Sequence, residues 1–237
     1  AVRAVLDDDG FLEVETPMMH PIIGGAAARP FETHHNTLDM DLFLRIAPEL
    51  FLKRLLVGGL ERVYEIGRCY RNEGISPRHN PEFTMLELYQ AYADWTDIME
   101  LVEQLVAYLA ETITGITTVA YQGRELNLAA PWRRATLASL IEEQIGRSVG
   151  LDTPIDELRA LCDEHDVAWK DTYGPGKLLL EIYEKTAEGQ QWDPVFVTEY
   201  PIGVSPLARP HRDIPGMTER FEGIVAGREL CNAFSEL

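Results

Sequence analysis

The chain has 237 residues, 46% hydrophobic, 25% charged and 9% aromatic, which is the composition of a soluble globular protein long enough to bury roughly 70–75% of its unfolded surface. Its 21 Lys and Arg stand against 39 Asp and Glu, a balance of −18. That excludes a general basic face for nucleic acid or anionic membrane and leaves only a local patch for such a partner. No apolar run reaches the roughly 18–20 residues of a membrane span, and the start, Ala1-Val2-Arg3-Ala4, lacks a signal-peptide layout. Cys69, Cys162 and Cys231 are odd in number with no CxxC spacing, so reduced core thiols in a cytoplasmic protein are expected.

In chain order, Ala1 to Asp9 reads as the tail of a helix. Phe11 to Thr16 alternates as a half-buried strand before Pro17. Gly24-Gly25, followed by three alanines, marks a turn where backbone can approach a ligand closely. Leu38 to Ile46 is strand-like, and Ala47-Pro48-Glu49-Leu50 opens a helix that runs out at Gly58-Gly59. Arg62–Glu73 and Phe83–Tyr92 read as antiparallel strands joined by a long loop over 74–81. Thr96 is the expected cap of a helix reaching Thr114. Tyr121 to Leu126 suggests a hairpin, and Ala135–Ile145, Ile155–Glu164 and Lys177–Glu188 suggest three surface helices, a peripheral helical insertion over about 135–190. Pro194 to Tyr200 reads as a buried strand, 205–216 as a loop, and Phe221–Ala226 with Leu230–Leu237 as a last hairpin around Gly227. Antiparallel strands without repeated βαβ units imply an α+β fold.

Three groups of residues carry chemistry. A strand would set Arg71 and Glu73 on one face; the guanidinium suits a phosphate or carboxylate, and the carboxylate can accept from an exocyclic amine. Phe83, Met85, Glu87 and Tyr89 share the next strand's face by the same period. Asn232, Phe234 and Glu236 repeat the arrangement, with the carboxylates of Glu222 and Glu229 nearby. Taken singly each has an ordinary reading. An Arg-x-Glu pair on a strand is commonly a solvated ion pair worth at most ~1 kcal/mol, and His79 in a loop is commonly a turn residue. If Gly227-Arg228 formed a two-residue turn, Glu222 and Glu229 would face one side and Asn232, Phe234 and Glu236 the other; a bulge or longer turn would bring them together.

Taken together the segments resemble a known family. Phe11-Leu12-Glu13-Val14-Glu15-Thr16-Pro17 is similar to motif 1 of class II aminoacyl-tRNA synthetases, and Tyr70-Arg71-Asn72-Glu73 followed by Arg78-His79-Asn80-Pro81-Glu82-Phe83-Thr84 to their motif 2. The stretches Gly24-Gly25-Ala26, Arg45-Ile46-Ala47-Pro48-Glu49-Leu50, Met85-Leu86-Glu87-Leu88-Tyr89 and 227–237 resemble the bacterial-type lysine-specific branch. The resemblance is specific toward both ends and loose from about 120 to 200.

It implies an antiparallel sheet flanked by helices that binds ATP, L-lysine and tRNA(Lys), in a homodimer formed through motif 1. By resemblance Arg71 clamps the α-phosphate and the lysine carboxylate, Glu73 accepts from the adenine amine and Phe83 stacks on the ring. His79 and Asn80 lie near the triphosphate, and Arg78 near the tRNA. Glu222 and Glu229 hold Mg²⁺. Glu87, Tyr89 and Glu236 take the lysine ammonium, Glu49 and the Gly25 backbone the α-amino group, and Asn232 the carboxylate, with Phe234 beside them. Two glutamates at the pocket end would repel aspartate, the substrate of a sister enzyme.

The family's motif 3 and its N-terminal anticodon-binding barrel fall outside these residues, so a fold incomplete at its C-terminus and a fragment weak or inactive by itself are expected. Alternatives are a lysine ligase acting on a translation elongation factor, a fusion to a lipid-lysylating membrane module, and a non-catalytic paralogue that senses lysine or dimerises.

Overall fold

Helix α1 (Val2–Asp8) ends at Gly10, whose φ of 81° turns the chain into strand β1 (Leu12–Glu13). There follow β2 (Met19–His20), β3 (Glu32–His35), β4 (Met40–Leu44), helix α2 (Glu49–Val57), β5 (Arg62–Tyr70) and β6 (Glu82–Gln90). These elements make up the first of two units in this computed structural model, Ala1–Tyr92; the second is Ala93–Leu237. Residues 1–76 and 79–237 are described.

In the first unit β1 runs parallel to β5, which pairs antiparallel with β6 in the order β1-β5-β6. The register sets Val63 opposite Tyr89, Glu65 opposite Glu87, Gly67 opposite Met85 and Cys69 opposite Phe83, so Phe83, Met85, Glu87 and Tyr89 do share one face. The motif 1 strand is shorter than its alternation implies. Only Leu12 and Glu13 lie in the ladder, prolonged by the Val14 N–H donating to the Tyr64 carbonyl at 2.9 Å. The expected strand over Arg62–Glu73 also stops early, at Tyr70. Arg71 keeps one ladder bond to the Pro81 carbonyl, but the Asn72 N–H turns to Arg29 and the Glu73 N–H returns to the Arg71 carbonyl. Strand alternation therefore does not place Glu73.

Beneath this face lies a buried ion pair. The Arg45 Nη1 donates to Glu65 Oε1 at 2.6 Å, with the two side chains 2% and 5% exposed. Arg45 Nε donates to the Arg68 carbonyl and Nη1 to the Thr16 hydroxyl, while Glu65 Oε2 accepts from the Thr16 N–H and hydroxyl. Both charges are thus hydrogen-bonded as well as paired, which their desolvation requires. Gly67 makes room for them, because a Cβ there would run into the Arg45 guanidinium.

The second unit begins with helix α3 (Trp95–Thr114). Its cap is Asp94 rather than Thr96. The Asp94 carboxylate accepts from the Thr96 N–H and hydroxyl, and Asp97 returns a bond to the Asp94 N–H, closing a capping box. Strands β7 (Thr118–Tyr121) and β8 (Arg124–Asn127) form the expected hairpin. Strand β9 (Arg133–Thr136) leads into helices α4 (Leu137–Ile145), α5 (Ile155–Glu164) and α6 (Pro175–Thr186), then β10 (Val195–Thr198), β11 (Arg220–Val225) and β12 (Arg228–Phe234), in the sheet order β12-β11-β10-β9.

The three helices each bury one side. Leu137, Leu140, Ile141, Leu158, Leu161, Leu178, Leu179 and Ile182 join Val195, Val197 and Ile224 in one core. The reason is topological: β9 and β10 are parallel neighbours, so the intervening chain must cross over a sheet face, and helices that cross a face pack on it. The other face, with Phe196 and Phe221, packs against Met99 and Trp132. All three cysteines are free, as expected; burial pushes the Cys69 thiol up to about 11 and the Cys231 thiol up to about 12.

Glu65→Gln leaves the buried Arg45 charge uncompensated, so it should lower unfolding free energy by about 3 kcal/mol or more in urea titrations. A loss under about 1 kcal/mol would show that the pair does not hold this unit together.

Candidate functional site

In the first unit, Pro48 precedes α2 and puts Glu49 in its first turn. Gly25 approaches it so closely, at a φ of 89°, that a Cβ would stand 2.9 Å from the Glu49 Cβ; a side chain is refused on both counts. The Glu49 carboxylate pairs with Lys53 one turn on, at 2.5 Å, and the Lys53 ammonium lies 5.7 Å from the Tyr89 ring centre. The Tyr89 hydroxyl donates to Glu87 Oε1 at 2.7 Å. The other oxygen, Glu87 Oε2, is buried and accepts no hydrogen bond among the described residues. Burial pushes the Glu87 carboxyl up to about 7; the Tyr89 bond opposes this, Glu49 adds to it, and Lys53 and Arg45 oppose it. Gly25 meets Glu49, and Lys53 links Glu49 to the Tyr89–Glu87 pair.

Arg71 lies with its guanidinium 5.1 Å from the Phe83 ring centre, and its Nε is buried without an acceptor among the described residues. Glu73 is exposed in the turn after β5. His79 Nδ1 lies 2.8 Å from the Ser76 hydroxyl, and the two residues bridge backbone to backbone. Asn80 is exposed. Arg78 falls outside the described residues.

In the second unit the β11–β12 turn is Ala226-Gly227, both at positive φ (52° and 68°), and a bulge follows. Gly223 is opposite Cys231 while Ile224 is opposite Glu229, so Leu230 is the extra residue. The bulge resolves the parity problem in the sequence: Glu222 stands opposite Asn232 and Arg220 opposite Phe234. Partners across a ladder share a face, so Glu229, Glu222, Asn232 and Phe234 lie on one side. Strand β12 ends at Phe234, and Glu236 bridges to Ala208.

Sequence reading missed Arg220, which joins two of these residues. Its Nη2 donates to Glu222 Oε1 at 2.5 Å and its Nε to Asn232 Oδ1 at 2.8 Å. A signal was available, since Arg220-Phe221-Glu222 has the same Arg-x-Glu spacing as 71–73 and sits wholly within a strand. It also missed Lys53, Arg45 and Glu65.

Among the described residues no group of three or more His, Cys, Asp or Glu is arranged to hold a metal ion. Glu222 and Glu229 nonetheless suit magnesium, which takes one or two carboxylates, keeps waters and shares phosphate oxygens. Arg220 engages one Glu222 oxygen.

The first unit thus presents an arginine stacked on an aromatic ring with a buried N–H that has no acceptor among the described residues, and the second unit presents carboxylates on neighbouring strands. Residues 1–237 match the tRNA synthetases class II (D, K and N) along their whole length, and the chain belongs to that family. Over all of its length it is 54% identical to a lysine–tRNA ligase of Carboxydothermus hydrogenoformans, covering 48% of that protein. It is 53% identical to one of Halalkalibacterium halodurans, covering 47%, and 54% identical to one of Moorella thermoacetica, covering 48%. The chain therefore spans about half the length of the curated relatives it matches.

Burial pushes the Glu87 carboxyl from its ordinary 4.5 up to about 7, so between those values the folded chain favours the protonated form and the unfolded chain the carboxylate. Its contribution to stability therefore falls as pH rises from about 4.5 to about 7, then levels off. Glu87→Gln should match the parent at pH 4.5 and exceed it by on the order of 2 kcal/mol at pH 8. Equal stability of both proteins at pH 8 in urea titrations would contradict a desolvated carboxylate.

Proposed function

We propose that this chain is the catalytic core of a lysine–tRNA ligase, which joins L-lysine to ATP as lysyl-adenylate and then transfers the lysyl group to tRNA(Lys). The observation that carries this reading is the buried Glu87 oxygen without a donor, set beside Tyr89 and Glu49. A buried acceptor with negative charge around it calls for a cationic donor. A lysine ammonium supplies three N–H groups, whereas aspartate would bring a second anion into the same space. By the same reading Glu49 and the Gly25 backbone take the α-amino group, Asn232 takes the carboxylate, and Phe234 and Glu236 also serve lysine.

In the first step a lysine carboxylate oxygen attacks the α-phosphorus, the new O–P bond forms, and pyrophosphate leaves with the electrons of the broken bond. In the second, a terminal ribose hydroxyl of the tRNA attacks the activated carbonyl and AMP leaves. The protein's work is placement and charge stabilisation. Arg71 has its guanidinium steadied on Phe83 and its Nε unspent, and it bridges the α-phosphate and the attacking carboxylate. Phe83 stacks the adenine, Glu73 accepts from its amine, and His79 and Asn80 face the triphosphate. When bound on Glu222 and Glu229, Mg²⁺ supplies positive charge to the phosphates.

Association of two copies through the motif 1 segment belongs to the same reading. Leu12, Met18, Met19 and Ile22 are exposed there, from 40% to 70%, an apolar strip that a second copy would cover. No helix among the described residues is long and apolar enough to cross a membrane; work in the cytoplasm is part of the same proposal.

The test is ATP–pyrophosphate exchange by the full gene product across the twenty amino acids. Lysine alone should stimulate exchange; Arg71→Ala should reduce it by about 10²–10³-fold. Glu87→Gln should raise the lysine requirement by about tenfold or more. Stimulation by aspartate, or exchange indifferent to Arg71→Ala, would reject the assignment.

A further inference from the structure

Arg220 is absent from the roles assigned above, yet it touches two residues that have them. Four of its five N–H donors are engaged. Nε donates to Asn232 Oδ1, Nη2 to Glu222 Oε1, and Nη1 to the Ser205 hydroxyl at 2.6 Å and the Val204 carbonyl at 3.4 Å. Its planar face lies 4.5 Å from the centre of the buried Tyr200 ring. An ordinary cross-strand ion pair would be solvated and rotationally loose. This one is 18% exposed on the arginine and 13% on the glutamate, and the guanidinium plane is held by groups outside the pair. Its orientation is set independently of the residues it serves.

That orientation matters because an asparagine amide has two chemically opposite ends. Left alone, Asn232 could turn either its carbonyl oxygen or its NH₂ toward a ligand. With the oxygen on Arg220 Nε, a flip would set NH₂ against N–H, two donors face to face, and is blocked. Glu222 is held at one oxygen by Nη2.

We propose that Arg220 is a positioning residue that fixes the polarity of this face: it consumes the Asn232 carbonyl oxygen so that the amide presents its NH₂ to the substrate carboxylate. The proposal rests on the reading of Asn232 as a carboxylate contact for lysine. It predicts that Arg220 contributes to recognition of the amino acid's carboxylate and not of its ammonium.

The experiment compares calorimetric binding of L-lysine and of 1,5-diaminopentane, which keeps the cationic chain and lacks the carboxylate, to the full gene product without ATP. Arg220→Lys keeps the charge and loses the planar fork. It should weaken lysine by about tenfold and diaminopentane by no more than about twofold. In an Asn232→Ala background the same substitution should change the ratio of the two affinities by less than about twofold, because the residue it acts through is gone. Ser205→Ala removes one anchor of the guanidinium without touching Asn232, and reads the same selective loss if Arg220→Lys unfolds the protein, at about two- to fivefold. Equal weakening of both ligands, or an Arg220→Lys effect unchanged by Asn232→Ala, would overturn the proposal while leaving the ligase reading in place. A parent protein that does not prefer lysine to diaminopentane would overturn both.

Discussion

The first unit is organised by one buried charge. Arg45 stands at the end of β4, and its backbone N–H bonds Met18 while its carbonyl accepts from Tyr70. Its side chain reaches Glu65, Arg68 and Thr16. A single residue thereby ties the segment after β1, the end of β4 and the central strand β5 to one another. Because a buried cation tolerates no mismatch in its partners, the three segments can only come together in one register. The face carrying Glu87, Tyr89 and Phe83 is aligned by that register, since Glu65 lies directly opposite Glu87. Two carboxylates across a ladder would ordinarily repel. Arg45 pairs with Glu65 closely and acts on Glu87 at longer range, where burial outweighs it and pushes the carboxyl up.

The second unit solves a similar problem with different means. There the polar face is steered by Arg220, whose guanidinium is held by Tyr200 and Ser205. In both units an arginine fixes acidic residues by being fixed itself. The difference is depth. Arg45 is sealed and serves the fold, whereas Arg220 is partly exposed, at 18%.

The sequence made some of this legible and left other parts hidden, for identifiable reasons. The β5–β6 pair and the shared face of Phe83, Met85, Glu87 and Tyr89 follow from alternation, because a long regular ladder obeys it. The boundaries of α4, α5 and α6 were close, but not their burial. Periodicity reports an apolar stripe without saying what covers it, and only the parallel pairing of β9 and β10 reveals that they cross a sheet face. Arg71-x-Glu73 looked like two residues on a strand because turn-forming backbone bonds to Arg29 and Arg71 leave no mark in side-chain pattern. Asp94 was passed over for Thr96 since either could cap; the structure spends the threonine hydroxyl on the aspartate. Arg45 and Glu65 were invisible as partners, twenty residues apart with nothing in either local pattern to connect them. Most assigned roles came from resemblance. What the coordinates add are the unspent atoms, Glu87 Oε2 and Arg71 Nε.

The bulge at Leu230 changes what spacing means in the last hairpin. On either side of it residues two apart share a face; across it residues three apart do. Glu229 and Asn232 therefore belong together although their separation is odd, while Cys231 between them packs on the opposite side with Phe196 and Phe221. One strand carries two parities, joined at a residue that holds no assigned role and is 54% exposed. Loss of that residue would regularise the ladder and leave Glu229 opposite Ile224 and Asn232 opposite Glu222, whereas loss of a residue between Cys231 and Phe234 would turn part of the strand over. Tolerance to changes of length is thus concentrated at a point on this strand, adjacent to residues whose facing admits none.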